Sequence, residues 1–288
     1  MTMSATERLA VSPALAPSPS AVPSAAQTAR RAVPTADMLR WVAMGAIFLA
    51  FLAAWQWLPA ILAIPPYILP PLSDTMAEMA RMWAQEDLLA NFLSTLSMTI
   101  LGFLVGGFCG AAGGYLLGMS RFWEQALSPF LLALQIAPKV AFAPLFIMWF
   151  GYTAWPKLLV TILVVFFPIL VNVLQSMKTV DRDLINLARA YSLNRFQIFL
   201  KIELPASMPS LMAGLRIGAT LAVIGVTVGE LVGGNTGLGY LISYGEGQAN
   251  AAMVFNAILL LTAIGIALYA VVAAVEKRVL HYIPRARS

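Results

Sequence analysis

Lys139, Arg216 and Glu230 each lie inside or near the end of a long apolar run. An ionisable group at membrane depth is costly, so it faces an interior, pairs with an opposite charge or lines a pathway. Lys139 has the charge to attract an anion, to neutralise Glu230, or to snorkel to an interface. Gln135 and Asn172 add polar groups to the same runs, as pathway lining or as hydrogen bonds between helices. Gln135, Lys139, Asn172 and Glu230 are therefore the candidate lining of a path across a membrane. Other chemistry is narrowly bounded. The single cysteine, Cys109, excludes an internal disulfide and a multi-thiolate metal site, and the single histidine, His281, excludes a histidine cluster. No stretch reads G-x-x-x-x-G-K-[ST], so the chain has no P-loop of its own. Neither a cofactor nor a catalytic residue is expected.

The elements that must position these groups are membrane helices. The chain is 60% apolar and 11% charged, with a mean hydropathy of +0.81. A soluble domain is about half apolar and a quarter charged, so much of this surface must face lipid. Six stretches have the length of about 20 residues that a helical span needs. They lie near Trp41–Ile64, Phe92–Gly118, Ala126–Phe150, Trp155–Met177, Pro209–Val232 and Ala252–Val275. The expected fold is all-α, a polytopic membrane bundle of about six transmembrane helices.

The net charge of +5 raises nucleic acid as a partner, but its distribution argues against one. Arg8, Arg30, Arg31 and Arg40 precede the first span, and Arg121 lies between the second and third. Lys178, Arg182, Arg189, Arg195 and Lys201 lie between the fourth and fifth, and Lys277, Arg278, Arg285 and Arg287 follow the last. With a cytoplasmic amino terminus all of these fall on one side. The other side holds only Arg81 and Lys157, with Asp74, Glu78, Glu86, Asp87 and Glu246. This positive-inside bias places both termini in the cytoplasm.

Residues 1–37, rich in Ala, Ser and Pro, read as a disordered cytoplasmic tail. A cleaved leader is the rival, but the apolar stretch from Trp41 starts too far in and runs too long. Residues 38–288 then form the membrane domain. After the first span, Pro65-Pro66 and Pro70-Pro71 stop the helix. Ser73 is placed to cap a short helix through Leu89, with Leu72, Met76, Met79 and Trp83 at helical spacing. That helix either lies in the outer membrane interface or packs on the bundle as an ordinary surface helix. In the second span Gly102, Gly106, Gly110, Gly114 and Gly118 recur every fourth residue, a flat stripe for close helix packing. Gly214, Gly218 and Ala222 form a shorter stripe in the fifth. The spacing leaves open whether the partner is in the same chain or a second copy. Pro138 and Pro144 interrupt the third span and Pro168 sits within the fourth, marking broken helices or kinks absorbed by neighbours.

The segment at residues 179–206 is too long and too patterned for a simple turn. Leu184, Leu187, Ala188 and Tyr191 repeat at helical spacing, and Ser192-Leu193-Asn194 breaks the repeat. Asn194 and Gln197 form a capping-box pair that opens a second helix, with Phe196, Phe199, Leu200 and Ile202 on its apolar side and Pro205 at its end. A short, basic, amphipathic hairpin of this kind fits a soluble partner. It equally fits its own bundle or anionic headgroups. Its candidate docking residues are Asn186, Ala188, Arg189, Ser192, Asn194, Arg195, Phe196, Phe199 and Pro205.

This loop resembles the cytoplasmic motif of permeases in ATP-binding-cassette importers, which reads Glu-Ala-Ala, three residues, Gly, nine residues, Ile-x-Leu-Pro. Here Asn186-Leu187-Ala188, Ser192 and Ile202-Glu203-Leu204-Pro205 keep the spacing. Asn186 replaces the Glu, Leu187 the first Ala and Ser192 the Gly. The likeness runs from about Thr95 to Val279. It takes in Pro144–Gly151, Phe166–Asn172, Gly214-Leu215-Arg216, Gly229-Glu230 and Gly237-Leu238-Gly239-Tyr240, and it looks like the nitrate, sulfonate and taurine subgroup. The resemblance implies a type I importer fold in the bacterial inner membrane. It implies a permease that is no enzyme, paired with a second permease copy as a homodimer, two ATPase subunits and a substrate-binding protein. It also implies membrane lipid around it and a small solute, either an anion or a small heteroaromatic. A self-contained secondary transporter is the alternative. It would need a coupling-ion site and often inverted repeats, and neither is visible in the sequence.

Overall fold

The structure is a computed structural model that describes residues 34–282, with side chains from Met38 to His281. The expected amino-terminal tail lies outside the described residues up to 33. Every regular element among the described residues is helical: α1 (Pro34–Ile61), α2 (Leu72–Gln85), α3 (Leu88–Gly118), α4 (Arg121–Ile136), α5 (Ala143–Phe150), α6 (Ala154–Lys178), α7 (Arg182–Ala190), α8 (Arg195–Ile198), α9 (Leu204–Gly233), α10 (Leu238–Gly247) and α11 (Ala251–Val279). One compact unit begins at Ala53, inside α1.

Among the described residues five helices are long and apolar enough to cross a membrane, and α4 with α5, bent by 81°, passes the same test only as a pair. The third expected span is thus a broken helix, and the cause is local. Pro138 has no N–H to donate and pushes the preceding residue toward extended backbone. Ala137 accordingly has ψ 136°, and a single 3₁₀ turn, Lys139–Phe142, joins the two halves. Pro144 breaks nothing. It sits in the first turn of α5, where no intrahelical N–H is needed. Pro168 is likewise absorbed within α6.

The centre of the bundle is α6, held between two stripes of small residues. On α3, a side chain at Gly106 would meet the Ile162 carbonyl at 2.9 Å, one at Gly110 the Phe166 carbonyl at 2.6 Å and one at Gly114 the Leu170 carbonyl at 2.8 Å. On the other side Gly214, Gly218, Gly225 and Gly229 of α9 press against Asn172, Ile169, Thr161 and Lys157. The glycine ladder therefore faces protein, and its partner is in the same chain. Close backbone approach is what stabilises association when lipid is as apolar as leucine. Val165, Ile169, Val173, Ala219 and Ala222 fill the seam.

The short helix α2 ends at Gln85, earlier than expected, and Pro71 rather than Ser73 precedes it. The Ser73 N–H donates instead to the Gln56 side chain at 2.8 Å. Its buried face mixes polar and apolar groups: Thr75 and Glu78 are buried, and Met82, fully buried, packs with Leu88, Leu238 and Met253. The Thr75 carbonyl accepts from Asn256 Nδ2 at 2.8 Å. Glu78 accepts from Asn250 Nδ2 at 2.7 Å and pairs with Arg81. Met76 and Trp83, by contrast, are exposed.

Candidate functional site

The hairpin is built from local backbone chemistry. Asp181 caps α7 by accepting from the Asp183 N–H at 2.8 Å. The turn closes with Leu193 N–H donating to the Ala188 carbonyl at 3.1 Å. Ser192 takes φ +58°, a left-handed conformation that glycine adopts without strain. This is the position at which the resembled motif carries Gly, so the turn is kept despite the substitution. The capping box at the start of α8 forms as expected. Gln197 N–H donates to Asn194 Oδ1 at 2.8 Å, and Asn194 N–H donates to Gln197 Oε1 at 2.9 Å. Pro205, however, does not end the second helix. A π-helical turn, Phe199–Glu203, carries it straight into α9, and Pro205 lies in the first turn of that span. The widened turn makes room for a residue that lacks an N–H.

The expected docking residues divide between two faces. Asn186, Arg189, Ser192, Asn194 and Phe196 are exposed, along with Leu184, Leu187, Tyr191 and Leu200. The hairpin thus exposes five large apolar side chains, Leu184, Leu187, Tyr191, Phe196 and Leu200, among polar ones. Ala188 and Phe199 turn inward. Ala188 is buried, and the Phe199 ring meets Tyr115 edge-on at 5.3 Å. Arg195 is exposed as well, yet its guanidinium is held, with Nη1 3.2 Å from Glu203 Oε1 and Nη2 donating to the Met119 carbonyl at 2.8 Å. Leu184, Leu187 and Tyr191 repeat at helical spacing on α7, and Leu200 lies in the π-helical turn of the second helix; none of the four was among the expected docking residues.

A second cluster lies at the opposite end of the bundle. Glu230, only 1% exposed, stands near the end of α9. Thr95 of α3 donates its hydroxyl to the Glu230 carboxylate, at 2.9 Å to Oε2, and accepts the Leu238 N–H at 2.8 Å. The Gly239 N–H donates to Glu230 Oε2 at 2.9 Å. The Gly237 N–H donates to Asn91 Oδ1 at 2.7 Å. Lys157 of α6, itself buried, supplies the positive charge at 3.8 Å. Its ammonium also lies 3.4 Å from Thr236 Oγ1 and 3.5 Å from Ser94 Oγ. Gly237 has φ +112°, and any side chain there would overlap the carboxylate. The cluster thus fastens α3, α6, α9 and the start of α10 through one neutralised carboxylate.

Lys139 takes no part in it. Of the roles open to Lys139, pairing with Glu230 does not form, because Lys139 sits at the break between α4 and α5 and serves the carbonyls freed there. Its ammonium donates to the Gln135 carbonyl at 2.6 Å and the Ala137 carbonyl at 3.2 Å, and lies 5.2 Å from the Phe167 ring centre. Gln135 itself is exposed on α4. Asn172 donates to the Pro168 carbonyl at 2.8 Å beside Gly214, a hydrogen bond within the α6–α9 seam. Arg216 pairs with Glu276 of α11. The four expected path residues therefore lie in three separate places. No group of His, Cys, Asp and Glu that would hold a metal ion occurs among the described residues.

Residues 99–281 match the family described as "Binding-protein-dependent transport system inner membrane component". The chain is 35% identical over 233 residues to the formylaminopyrimidine transport permease protein ThiX of Halalkalibacterium halodurans, covering 80% of this chain and 91% of that one. It is 34% identical over 239 residues to the riboflavin transport system permease protein RibX of Chloroflexus aurantiacus, covering 82% and 89%. It is 29% identical to a putative aliphatic sulfonates transport permease protein, SsuC, of Bacillus subtilis, covering 80% and 84%. Among solved structures, an inward-facing form of the MetNI methionine ABC transporter shares the fold. The TM-score is 0.57 at 21% identity, over 69% of this chain and 98% of that one.

Proposed function

The chain belongs to the binding-protein-dependent transport inner membrane component family, and from that premise we propose that its α7–α8 hairpin is the surface on which the ATPase docks. As a member of that family it is a multi-pass inner-membrane permease subunit of an ATP-binding-cassette importer for small solutes. Its partners are an ATPase, which hydrolyses ATP on a separate chain, and a substrate-binding protein.

The carrying observation is the exposed apolar surface of Leu184, Leu187, Tyr191, Phe196 and Leu200 on an otherwise polar hairpin. An interface concentrates its energy in a few aromatic and Arg anchors, and Tyr191 and Phe196 fit that role. Asn186 offers the ATPase no ion pair, so apolar burial contributes more of the docking energy. With the hairpin at the ATPase side, both termini are cytoplasmic and the Glu230 cluster lies at the outer end. The domain then runs over residues 38–288, with residues 179–206 as the docking loop. The exposed outer faces of Met76 and Trp83 rest in lipid. The path forms between two copies of the chain, in a homodimer, beside the α4–α5 break that holds Lys139. The solute is a small heteroaromatic or a small anion, supported by the relatives' transport of formylaminopyrimidine, riboflavin and sulfonates and by the Lys139 cation over an aromatic ring.

The test is ATPase co-purification and solute uptake for Phe196→Ala and Asn186→Ala in the same membranes. Loss of a buried aromatic anchor costs about 2 kcal/mol or more, roughly thirtyfold in affinity. Phe196→Ala should therefore release the ATPase and abolish uptake, with Asn186→Ala milder. Normal docking with Phe196→Ala, or a larger loss with Asn186→Ala, would count against this surface.

A further inference from the structure

We propose that Arg195 and Glu203 are positioning residues that carry movement of the hairpin into α3 and α4, and that Arg195 is not itself a docking contact. The proposal rests on the hairpin being the docking surface, but the observations behind it are separate ones.

The hairpin joins α9 through the π-helical turn Phe199–Glu203. Such turns are rare and mark functional positions within helices. Left alone, this widened turn would be the softest point between the hairpin and the span it must move. Arg195 opens α8 ahead of the turn and Glu203 is the turn's last residue, so their ion pair at 3.2 Å spans it. The pair is poorly designed for stability alone. Glu203 is 4% exposed, and its second oxygen has no hydrogen-bond partner among the described residues. Arg195 itself is exposed, and an ion pair with one exposed partner contributes little to stability. Its geometric effect is definite, because it fixes the angle between α8 and α9.

The second arm of Arg195 points elsewhere. Nη2 donates to the Met119 carbonyl at 2.8 Å. Met119 is the residue that follows α3, and Ser120 is the residue that precedes α4. One guanidinium thus holds the hairpin, the start of α9 and the α3–α4 turn. Two further contacts run in parallel: Phe199 against the Tyr115 ring, and the Tyr115 hydroxyl 3.0 Å from Ser207 Oγ. From the turn, Glu124 of α4 pairs with Lys178 at the end of α6 at 2.7 Å. A displacement of the hairpin must therefore move the α3–α4 turn, and with it the broken span that carries Lys139. Packed elements that shift as bodies transmit such movements.

The complete importer, with its ATPase and binding protein in membranes, carries the test. Arg195→Met, Glu203→Gln and Arg195→Lys are compared for bound ATPase, ATP hydrolysis and solute uptake. In Arg195→Met and Glu203→Gln the ATPase should stay bound and hydrolysis continue, while uptake per ATP falls about tenfold, an ordinary size for coupling between sites. Arg195→Lys keeps the charge but cannot hold both partners, so its loss should be intermediate. It also decides the matter if Arg195→Met fails to fold. Release of the ATPase by Arg195→Met but not by Glu203→Gln would overturn the proposal, since Arg195 would then be a docking contact. Full coupling in Arg195→Lys and Glu203→Gln would overturn it as well. Failure of the docking surface itself shows separately, as ATPase that stays bound to Phe196→Ala.

Discussion

The Glu230 carboxylate, held by Thr95 and the Gly239 amide, stands 3.8 Å from the Lys157 ammonium in the buried end of the bundle. Removing one partner of a buried pair strands the other, which costs about 3–5 kcal/mol, whereas removing both is far milder. Glu230→Gln should therefore lower the melting temperature of the purified complex sharply, and adding Lys157→Met should recover most of the loss. A double variant no better than Glu230→Gln would show that the hydrogen bonds to Thr95 and Gly239, not the charge pair, are what matter.

A side chain at Gly110 would press on the Phe166 carbonyl at 2.6 Å and Ile169 Cβ at 3.2 Å. Neither can yield, because one is backbone and the other lies in the core. Overpacking of a tight seam costs about 1–3 kcal/mol or more. Gly110→Leu should reduce folded protein in membranes, measured by yield of monodisperse complex, while a leucine at the open position Gly45 serves as control. Equal yields would remove α3–α6 packing from the account.

Ser192 holds φ +58°, a conformation that costs a residue with a Cβ about 1–2 kcal/mol. Ser192→Gly should relieve that cost and leave uptake intact or improved. Ser192→Val, with a branched side chain, should weaken ATPase binding by distorting the turn. The readout is ATPase retained on the purified permease, and equal retention in both variants would contradict a strained turn.

Reporter fusions test the orientation. Fusions after Lys178 and Arg287 should report the cytoplasm, and one after Glu246 the outside. An external signal at Arg287 would contradict the six-span path that counts α4 and α5 as one crossing.

The sequence made some of these features legible and hid others for physical reasons. Glycine at every fourth position reports that one face of α3 is flat, so close packing was readable. It does not report what the face meets, and α6 as partner emerges only from the fold. Asn194 and Gln197 formed their capping box because that motif is complete within four residues. Glu230 and Lys157 are far apart in the chain, and Lys157 read simply as an outer-end charge. Their contact depends on α6 and α9 lying antiparallel to the register that Gly229 allows. Phe199 shares a helical face with Phe196 in the sequence, yet its ring meets Tyr115, while Arg195 is exposed and its contacts with Glu203 and Met119 depend on the fold. The π-helical turn after Ile198 changes which way the following residues face, and no local spacing announces it.

Transport by this permease is driven by a separate ATPase. Purified permease should be placed in liposomes with its ATPase inside and its binding protein outside, and uptake of the binding protein's solute measured. Uptake is expected only when ATP, ATPase and binding protein are all present, and none with Phe196→Ala. Uptake by the permease alone under an ion gradient would contradict this dependence.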